Sequence, residues 1–491
     1  MQRLTFDFNN MFSTCVGSAN GVTDGDIAAF SKTAKTAARH LASALKDRES
    51  RLRLGLEWAN LPWQSPAAVK RIQMLGDEIA ARYRNVIFLG IGGSYLGLKA
   101  AQDALCLPYY NDFEQARNGR PKIYFEGNNL DPETLSVLLE SLDPRRTFCV
   151  VISKSGETTE TKAAFEVVEQ WLKKHCGPRY GRQIFAITDP ASGSLRKKVE
   201  AAQAKDPLSF RSHPLFKGVG GRYSELNMGL LHLAIAGVKI SAVLEGAKDM
   251  AGRCVEPDVS RNPAYMYALL HTILFRKKGK PIGIMMPFGE ELKSTADWYC
   301  QLLAESTGKK FARRIERDAS GRELWMHDRK RVLNTGRTPV STRGTNDLHS
   351  VQQNNIEGQN DKVVTFIQVG AFKRELTVPG GKGGLLAGKR YSKLLALAQE
   401  ATEWALVRES RPNCTVRMPA LTPSCWGQLI YFFEMATAFE GELLDINAFD
   451  QPGVEGYKNY MYYKLRKPGL APGIAKDIRS HPLVKKQKYI L

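Results

Sequence analysis

The sequence predicts an α/β protein with two α/β/α sandwich domains built on parallel sheets, and with helical segments at both ends. Short apolar strand patterns alternate with helix patterns from residue 84 to 187, and the alternation begins again near residue 281. Such alternation is typical of parallel sheets that are covered by helices on both faces. We therefore expect a helical segment at 1–65, a first α/β domain at 66–245, a second at 246–420 and a helical segment at 421–491.

The N-terminal segment and the first domain differ clearly in pattern. Ala-rich sequence such as Ala34–Leu45 indicates helix, and no strong strand pattern occurs before about residue 65. The first domain then contains four apolar stretches of strand character, each bounded by turn or helix sequence. The predicted strands are Arg84–Leu89, Lys122–Phe125, Thr147–Ile152 and Gln183–Ile187, and Tyr95–Leu105 is a predicted helix.

The second domain repeats the pattern without repeating the sequence. Pro281–Met286 and Val363–Val369 are apolar strands separated by helical sequence, and a linking helix at Gly229–Ile240 precedes them. No clear internal sequence repeat relates the two domains, so only their architecture is predicted to be alike. The C-terminal segment carries predicted helices at Leu429–Phe439 and from about Pro452 to Leu465.

Composition indicates an ordinary soluble globular protein. Of 491 residues, 43% are hydrophobic and 24% are charged, and no apolar run is long enough to span a membrane. The N-terminus has no secretory signal pattern. The eight cysteines are scattered, none forms a C-x-x-C pair, and no metal-ligand spacing occurs. We therefore expect reduced thiols in a cytoplasmic protein that has no membrane partner.

The formal net charge of +20, from 70 basic and 50 acidic residues, is unusual. A nucleic-acid partner is one interpretation. However, the basic residues are spread along the chain, and no nucleic-acid-binding motif accompanies them. We therefore predict no nucleic-acid partner and interpret the charge as a field that attracts anionic metabolites.

The turn Ser153–Thr161 is the most informative motif in the chain. It follows the predicted strand Thr147–Ile152 and precedes the amphipathic stretch Lys162–Val168, so it lies at a helix N-terminus. Helix N-termini hold anions through unpaired N–H groups and partial positive charge. A single hydroxyl here is more simply a helix cap. Several hydroxyls together with Lys154 favour a phosphate monoester site at the carboxyl end of a strand.

Two glycine-rich turns resemble nucleotide-binding loops but depart from them. Gly90-x-Gly92-Gly93-Ser94 lacks the third glycine of the dinucleotide fingerprint, because Tyr95 stands at that position. The tight turn ending in a hydroxyl suits a sugar or phosphate oxygen instead. Gly383-x-x-x-x-Gly388-Lys389 lacks the Ser or Thr of a P-loop, so we interpret it as a flexible surface loop.

An arginine and a glutamate are candidates for chemistry. Arg222 follows two glycines and precedes a helix, where a guanidinium can stabilise developing negative charge. Gln301 and Glu305 are i,i+4 on a helix predicted to end at Gly308, so they share a face. Glu305 lies in the last turn, where a carboxylate opposes the helix dipole. Alone, each is more simply a structural or solvated residue.

A histidine and a lysine are further candidates. His349, one of eight histidines, follows a polar turn and is a natural proton shuttle near neutral pH. Lys458 lies in the helix that opens near Gln451 and Pro452. A lone histidine is more often structural or exposed, and a helix lysine is usually solvated.

Taken together, these segments resemble the glucose-6-phosphate isomerase family. The phosphate turn alone is shared with regulators and amidotransferases, but six motifs at compatible spacings are specific. The resemblance covers residues from about 55 to 465. Its motifs are Gly90–Gly97, Ser153–Thr161, Gly218–Gly229, Gln301–Lys309, Gly344–Gln353 and Phe449–Lys458.

The resemblance implies two sugar-isomerase domains, a C-terminal helical part and a site that binds a phosphosugar substrate without a metal or a cofactor. It also implies a homodimer with active sites shared between subunits. The residues implied to hold the phosphate are Ser153, Lys154, Ser155 and Thr158. Those implied to line the sugar site are Gly93, Ser94, Gln301 and Gln451.

The implied reaction is the isomerisation of glucose 6-phosphate to fructose 6-phosphate through ring opening and a cis-enediol. Glu305 is implied to be the base, and Arg222 to stabilise the enediolate. His349, from the neighbouring subunit, and Lys458 are implied to open the ring.

The alternative from another functional class is a non-catalytic phosphosugar-binding regulator. Such a protein needs the phosphate turn but has no use for Glu305, His349 and Lys458, and all three are present. Two residues depart from the family pattern: Leu348 stands where Gln is usual, and Thr307 where Leu or Asn is common. Both lie beside the implied catalytic positions, so they bear on substrate preference rather than on the reaction.

Overall fold

The computed structural model describes residues 2–381 and 384–491, which include twelve strands in two five-stranded sheets and one hairpin. Gly383 of the predicted surface loop lies outside the described residues. The strands are β1 (Thr5–Asp7), β2 (Asn85–Leu89), β3 (Lys122–Glu126), β4 (Thr147–Ile152), β5 (Ile184–Thr188), β6 (Arg211–Pro214), β7 (Ile282–Phe288), β8 (Lys309–Arg317), β9 (Glu323–Thr335), β10 (Thr338–Ser341), β11 (Lys362–Val369) and β12 (Asn413–Met418).

The described residues also include eighteen α-helices. They are α1 (Ser13–Val16), α2 (Asp24–Lys46), α3 (Arg48–Leu54), α4 (Pro66–Arg82), α5 (Leu96–Leu105), α6 (Glu114–Arg117), α7 (Pro132–Ser141), α8 (Thr159–Cys176), α9 (Ser194–Gln203), α10 (Glu225–Ile235), α11 (Ile240–Cys254), α12 (Pro263–Lys278), α13 (Lys293–Thr307), α14 (Gln352–Glu357), α15 (Tyr391–Arg408), α16 (Pro423–Leu443), α17 (Glu455–Lys464) and α18 (Pro472–Ser480). Among the described helices, none combines the length and apolar character needed to cross a membrane.

The first sheet is fully parallel and has the order β3-β2-β4-β5-β6. Its strands are buried apolar runs, and successive side chains face opposite sides. Ile87 and Val151 pack in a core with side chains of α8 and α9, whereas the Phe88 ring lies 5.2 Å from the His232 ring of α10. Helices therefore cover both faces of this sheet, as the alternating sequence predicts.

The chain changes direction across the first sheet between β2 and β4. From β2 it passes to β3 on one side, and then returns to β4, β5 and β6 on the other. In open α/β sheets, the crevice at the carboxyl ends of the strands on either side of such a reversal is the usual place for a ligand. The Gly90–Ser94 turn follows β2, and the Ser153–Thr158 turn follows β4.

The second sheet has the order β10-β7-β11-β12-β1, and its first four strands repeat the arrangement of β3-β2-β4-β5. Strands β7, β10, β11 and β12 are parallel, but β1 pairs antiparallel with β12. The expectation of no strand near the N-terminus is therefore wrong at Thr5–Asp7, since three residues are too few to show an alternating pattern. The α/β class with parallel sheets is confirmed, with one antiparallel edge.

A long buried helix lies in the core between other helices. Every residue of α16 from Cys425 to Leu443 is buried, and the helix packs against α2, α11, α12 and α13. A helix that is mainly apolar and buried on all sides is stable only when neighbours surround it. This packing holds α13, which carries Glu305, against the rest of the core.

Residues Met1–Ala448 form one compact unit and Phe449–Leu491 form a second. The second unit contains α17 and α18. The division into segments at 1–65, 66–245, 246–420 and 421–491 stays a prediction.

Candidate active site

The two predicted ligand turns are neighbours at the carboxyl edge of the first sheet. Strands β2 and β4 are adjacent and parallel, with Leu89 opposite Val151. Gly127, which follows β3, lies between the turns. A Cβ on it would be 3.4 Å from the Thr161 Cα and 3.6 Å from the Gly90 N. The fold therefore brings together two sequence motifs that are about sixty residues apart.

The Ser153–Thr158 turn is held by hydrogen bonds between its own serine side chains and its backbone. The Ser153 Oγ accepts from the Gly156 N–H at 3.0 Å, and the Ser155 Oγ accepts from the Glu157 N–H at 3.1 Å. Since each hydroxyl accepts here, its own O–H remains able to donate to a ligand. Gly156 has φ of +76°, and a Cβ there would lie 2.5 Å from the Leu195 N, so only glycine fits.

Helix α8 adds the electrostatics that an anion requires. It is 18 residues long and begins directly after Thr158, whose side chain makes no capping hydrogen bond. The first N–H groups of the helix and its positive dipole end therefore face the turn. Lys154 is exposed beside them. Hydroxyl donors, N–H donors and an ammonium in one turn suit a phosphate group.

The Gly90–Ser94 turn packs directly against the arginine-bearing turn at Gly220–Arg222. A Cβ on Gly93 would lie 2.3 Å from the Gly221 carbonyl carbon and 2.6 Å from the Arg222 N, so a larger residue would push the turns apart. A Cβ on Gly92 would lie 2.9 Å from the Gln301 Nε2. Ser94 is half-buried at the end of this turn.

Arg222 is buried, with 2% of its surface exposed, and its guanidinium contacts several polar groups. Its Nε donates to the Ser306 Oγ at 2.8 Å, and its Nη2 donates to the Ala448 carbonyl at 2.6 Å. Its Nη1 lies 3.3 Å from the Glu305 Oε2. A planar guanidinium held by several acceptors keeps a fixed orientation. The interpretation of Arg222 as a plain loop residue is therefore incomplete.

Glu305 lies in the last turn of α13 with its carboxylate between two polar partners. One oxygen is near Arg222, and Oε1 accepts from the Gln301 Nε2 at 3.1 Å. The side chain is 28% exposed, so a ligand can reach it. The helix ends at Gly308, as predicted, and the Lys309 Nζ donates to the Glu305 carbonyl at 2.5 Å. The carboxylate is therefore fixed in position but open on one side.

His349 is held at the surface of the chain. It ends a short 3-10 turn, Asn346–His349, that follows β10, and its side chain is exposed. The neighbouring Leu348 packs against the core of the second sheet, which includes Phe288 and Val364. This packing anchors the turn and leaves the imidazole accessible from outside.

Two predicted site residues belong to the compact unit Phe449–Leu491. Gln451 precedes the 3-10 turn Pro452–Val454, which leads into α17. Lys458 lies in α17, and its Nζ is 2.9 Å from the Glu455 Oε1. Burial lowers the pKa of Lys458, but the hydrogen bond and charge of Glu455 outweigh it, so the pKa is raised.

Sequence reasoning missed the groups that hold the arginine and the glutamate. Ser306 contacts both Arg222 and the Tyr223 hydroxyl, the latter at 3.0 Å. The Ala448 carbonyl is a backbone group, so its contact with Arg222 cannot be predicted from residue types. Only the position of Ser306, next to Glu305, could have indicated it. In the part of the chain that the structure describes, no group of three or more His, Cys, Asp or Glu side chains is placed to hold a metal.

The sequence is similar to those of known proteins. The family model described as phosphoglucose isomerase matches residues 74–372 and 384–467. The chain is similar to a glucose-6-phosphate isomerase of Carboxydothermus hydrogenoformans, with 36% identity and 95% of each chain covered. A second relative of that name, from Symbiobacterium thermophilum, is 36% identical over 84% of this chain and 87% of its own.

Solved structures support the fold. A hypothetical protein from Thermus thermophilus has a TM-score of 0.78 at 29% identity, covering 94% of this chain and 100% of its own. A glucose-6-phosphate isomerase from Chlamydia trachomatis has a TM-score of 0.73 at 21% identity, covering 96% of each chain.

Proposed function

Because the chain belongs to the phosphoglucose isomerase family, it interconverts glucose 6-phosphate and fructose 6-phosphate, and we propose that Glu305 is the base of that reaction. The observation that carries the proposal is the contact of 3.3 Å between Arg222 and Glu305. It sets a carboxylate that can move a proton beside a cation that can stabilise an enediolate. The regulator alternative needs neither group.

The phosphate supplies the binding energy that positions the sugar. It does not react, so its contacts with Ser153, Lys154, Ser155 and Thr158 serve to orient C1 and C2 of the substrate. Gly93, Ser94, Gln301 and Gln451 line the sugar in this proposal. These residues convert a phosphate site into one that presents the sugar carbons to Glu305.

The proton transfer requires one base and one source of positive charge. The Glu305 carboxylate removes the proton from C2 and returns it to C1 on the same face of a cis-enediol. Negative charge develops on the sugar oxygens during this step, and the buried Arg222 guanidinium stabilises it without reorganising. Because Arg222 is already fixed by Ser306 and Ala448, little ordering is needed at the moment of reaction.

Ring opening precedes the proton transfer, because the substrate is mainly cyclic. It requires an acid and a base at the ring oxygen and at the C1 hydroxyl, and we assign this pair to His349 and Lys458. We also propose a homodimer in which His349 comes from the neighbouring subunit. The exposure of this imidazole supports the assignment, because a group offered to another subunit must be accessible.

We propose the cytoplasm as the place of action. All eight cysteines are free thiols, which fits a reducing compartment. The simplest test of the function is to supply fructose 6-phosphate to the purified protein with a chelator present, and to measure the glucose 6-phosphate formed. Absence of product, or a strict need for added metal, would contradict the proposal.

Thr158→Val tests the phosphate turn. The side chain keeps its shape and makes no capping bond, so the stability of α8 should not change. The lost hydroxyl bond to a charged group should raise KM for fructose 6-phosphate about tenfold or more. Thr134→Val, in the first turn of α7, is the matched control and should leave KM unchanged. Equal KM values for both variants would remove Thr158 from the site.

A mixture of two inactive variants tests the shared site. We expect Glu305→Gln and His349→Ala homodimers each to be nearly inactive. After mild unfolding and refolding together, mixed dimers contain one site with both native residues, so activity should return in the mixture. A mixture that stays as inactive as its components, although mixed dimers are detected, would place both residues in the same subunit.

A further inference from the structure

Two buried carboxyl groups face each other behind the proposed active site. Glu225 is the first residue of α10, and Glu434 lies in the middle of α16; their exposures are 2% and 1%. The two carboxyl groups lie close enough to interact. Such an arrangement needs an explanation, because two ionised carboxylates in contact repel strongly when water is excluded.

The hydrogen bonds of Glu225 indicate that the Glu225 and Glu434 carboxyl groups share a proton. The Glu225 Oε1 accepts from the Trp298 Nε1 at 2.7 Å. The Glu225 Oε2 is buried and has no hydrogen-bond donor among the described residues, so it lacks a donor that a protonated Glu434 can supply. A carboxyl group donates a hydrogen bond only when it is protonated. Burial raises the pKa of both groups, and the charge of Glu225 raises that of Glu434 further.

The surroundings of the pair offer no compensating cation among the residues that the structure describes. Helix α13 contributes the neutral Trp298, and α5 contributes Gly97. Tyr223 and Tyr431 interact electrostatically with the pair, and burial raises the pKa of both phenols, so they stay neutral. Arg222 directs its guanidinium to Glu305, Ser306 and Ala448. Loss of the proton therefore leaves two buried negative charges beside the neutral Trp298, Tyr223 and Tyr431.

Glu225 also lies where three parts of the site join. It follows Arg222 by three residues at the start of α10, and its partner Trp298 precedes Glu305 by about two turns on α13. On the third side, a Cβ on Gly97 would lie 2.4 Å from the Glu225 Cγ, directly after the Gly90–Ser94 turn. The Glu225 side chain therefore adjoins all three elements.

We propose that Glu225 and Glu434 are positioning residues, and that one proton shared between their carboxyl groups holds Arg222 and α13 in the catalytic arrangement. Its kinetic consequence rests on the proposed isomerase function, whereas its consequence for folding does not. Neither residue contacts the substrate site directly, so both act through Arg222 and Glu305.

The dependence of stability on pH has a definite sign. Both carboxyls have a raised pKa in the folded chain, so the folded state binds more protons than the unfolded state. Stability therefore falls as pH rises from the unfolded pKa of a carboxyl, about 4.3, to the higher folded value. Because the two carboxyl groups affect each other's protonation, this loss of stability belongs to the pair rather than to one residue.

Glu225→Gln is the central variant. The amide oxygen can still accept from Trp298, and the amide N–H can donate to an ionised Glu434, so no shared proton is needed. In urea unfolding from about pH 6 to 9, the wild-type midpoint should fall with pH more steeply than that of E225Q. The alkaline limb of kcat should move up by about one pH unit or more in E225Q. The exposed Glu78→Gln is the matched control and should behave as the wild type.

Glu225→Leu tests the positioning of Arg222 and α13 separately from the pH dependence of folding stability. It leaves the Trp298 N–H unpaired, and we expect kcat to fall about tenfold with little change in KM, because the phosphate turn is untouched. E225Q should retain more of kcat than E225L. If E225L does not fold, the pH comparison of wild type with E225Q still tests the proposal.

Identical midpoint slopes and identical alkaline limbs in wild type and E225Q would overturn the proposal. A wild-type chain without isomerase activity would refute the proposed function. The pH dependence of the urea midpoint in wild type and E225Q would still test whether the two carboxyls share a proton.

Discussion

Replacing Glu305 with glutamine should lower kcat for fructose 6-phosphate at least about a hundredfold. Glutamine has the same shape, and its amide oxygen can still accept from Arg222 and so preserve the contact that spans 3.3 Å in the native chain. However, a glutamine amide is far less basic than a carboxylate, so it cannot remove the proton from C2. The variant therefore removes the chemistry and keeps the architecture.

The assay couples glucose 6-phosphate formation to a dehydrogenase, and calorimetry measures phosphosugar binding. Binding should survive in the variant, because the phosphate turn lies on other elements, β4 and α8. Glu78→Gln is the matched control, since Glu78 is an exposed partner of Arg211 at 3.0 Å. Activity in Glu305→Gln within a few-fold of the control would assign the base to another residue.

Replacing Arg222 with lysine should lower kcat by about a hundredfold or more. Lysine keeps one positive charge but loses the planar fork that contacts Ser306, Glu305 and Ala448 together. Its ammonium can satisfy some of these partners, so the fold should persist while the charge near the enediolate is misplaced. KM should change much less than kcat, because the interaction develops mainly in the transition state.

Arg211→Lys provides the control for this variant, as a surface arginine with one carboxylate partner. Exposed pairs of this kind contribute little, about 0–1 kcal/mol. The double variant Glu305→Gln with Arg222→Lys should lose far less than the sum of the two single effects, because the residues act on one step. Fully additive losses would mean that the two side chains serve separate steps.

The strands that form the centres of the sheets could be predicted because burial makes them apolar. Thr147–Ile152 has the bounds that the sequence predicts, and Asn85–Leu89 differs by one residue. The edge elements could not be predicted in this way. Strand β6 and the hairpin of β8 and β9 are rich in polar and charged residues, so their strand character arises from pairing rather than from an apolar pattern.

The residue types of the candidate site could be predicted, but most of their contacts could not. The serines and Thr158 indicate a phosphate by their clustering at a strand end, and the structure places that turn beside Gly90–Ser94. The contact of Arg222 with Glu305 joins residues 83 apart in sequence, and no local pattern encodes it. The Glu225–Glu434 pair likewise joins residues of two helices, α10 and α16, that are far apart in sequence.

The fate of a deuterium label tests the central claim most directly, namely that a carboxylate moves the C2 proton to C1. Glucose 6-phosphate carrying deuterium at C2 is converted by the wild-type protein in ordinary water, and NMR follows the label. Glu305 is partly exposed, so a deuteron that it holds can exchange with water during the enediol lifetime. We predict fructose 6-phosphate with deuterium partly at C1 and partly lost to water. Complete retention at C1, as in a direct hydride shift, or the absence of any fructose 6-phosphate would contradict the account.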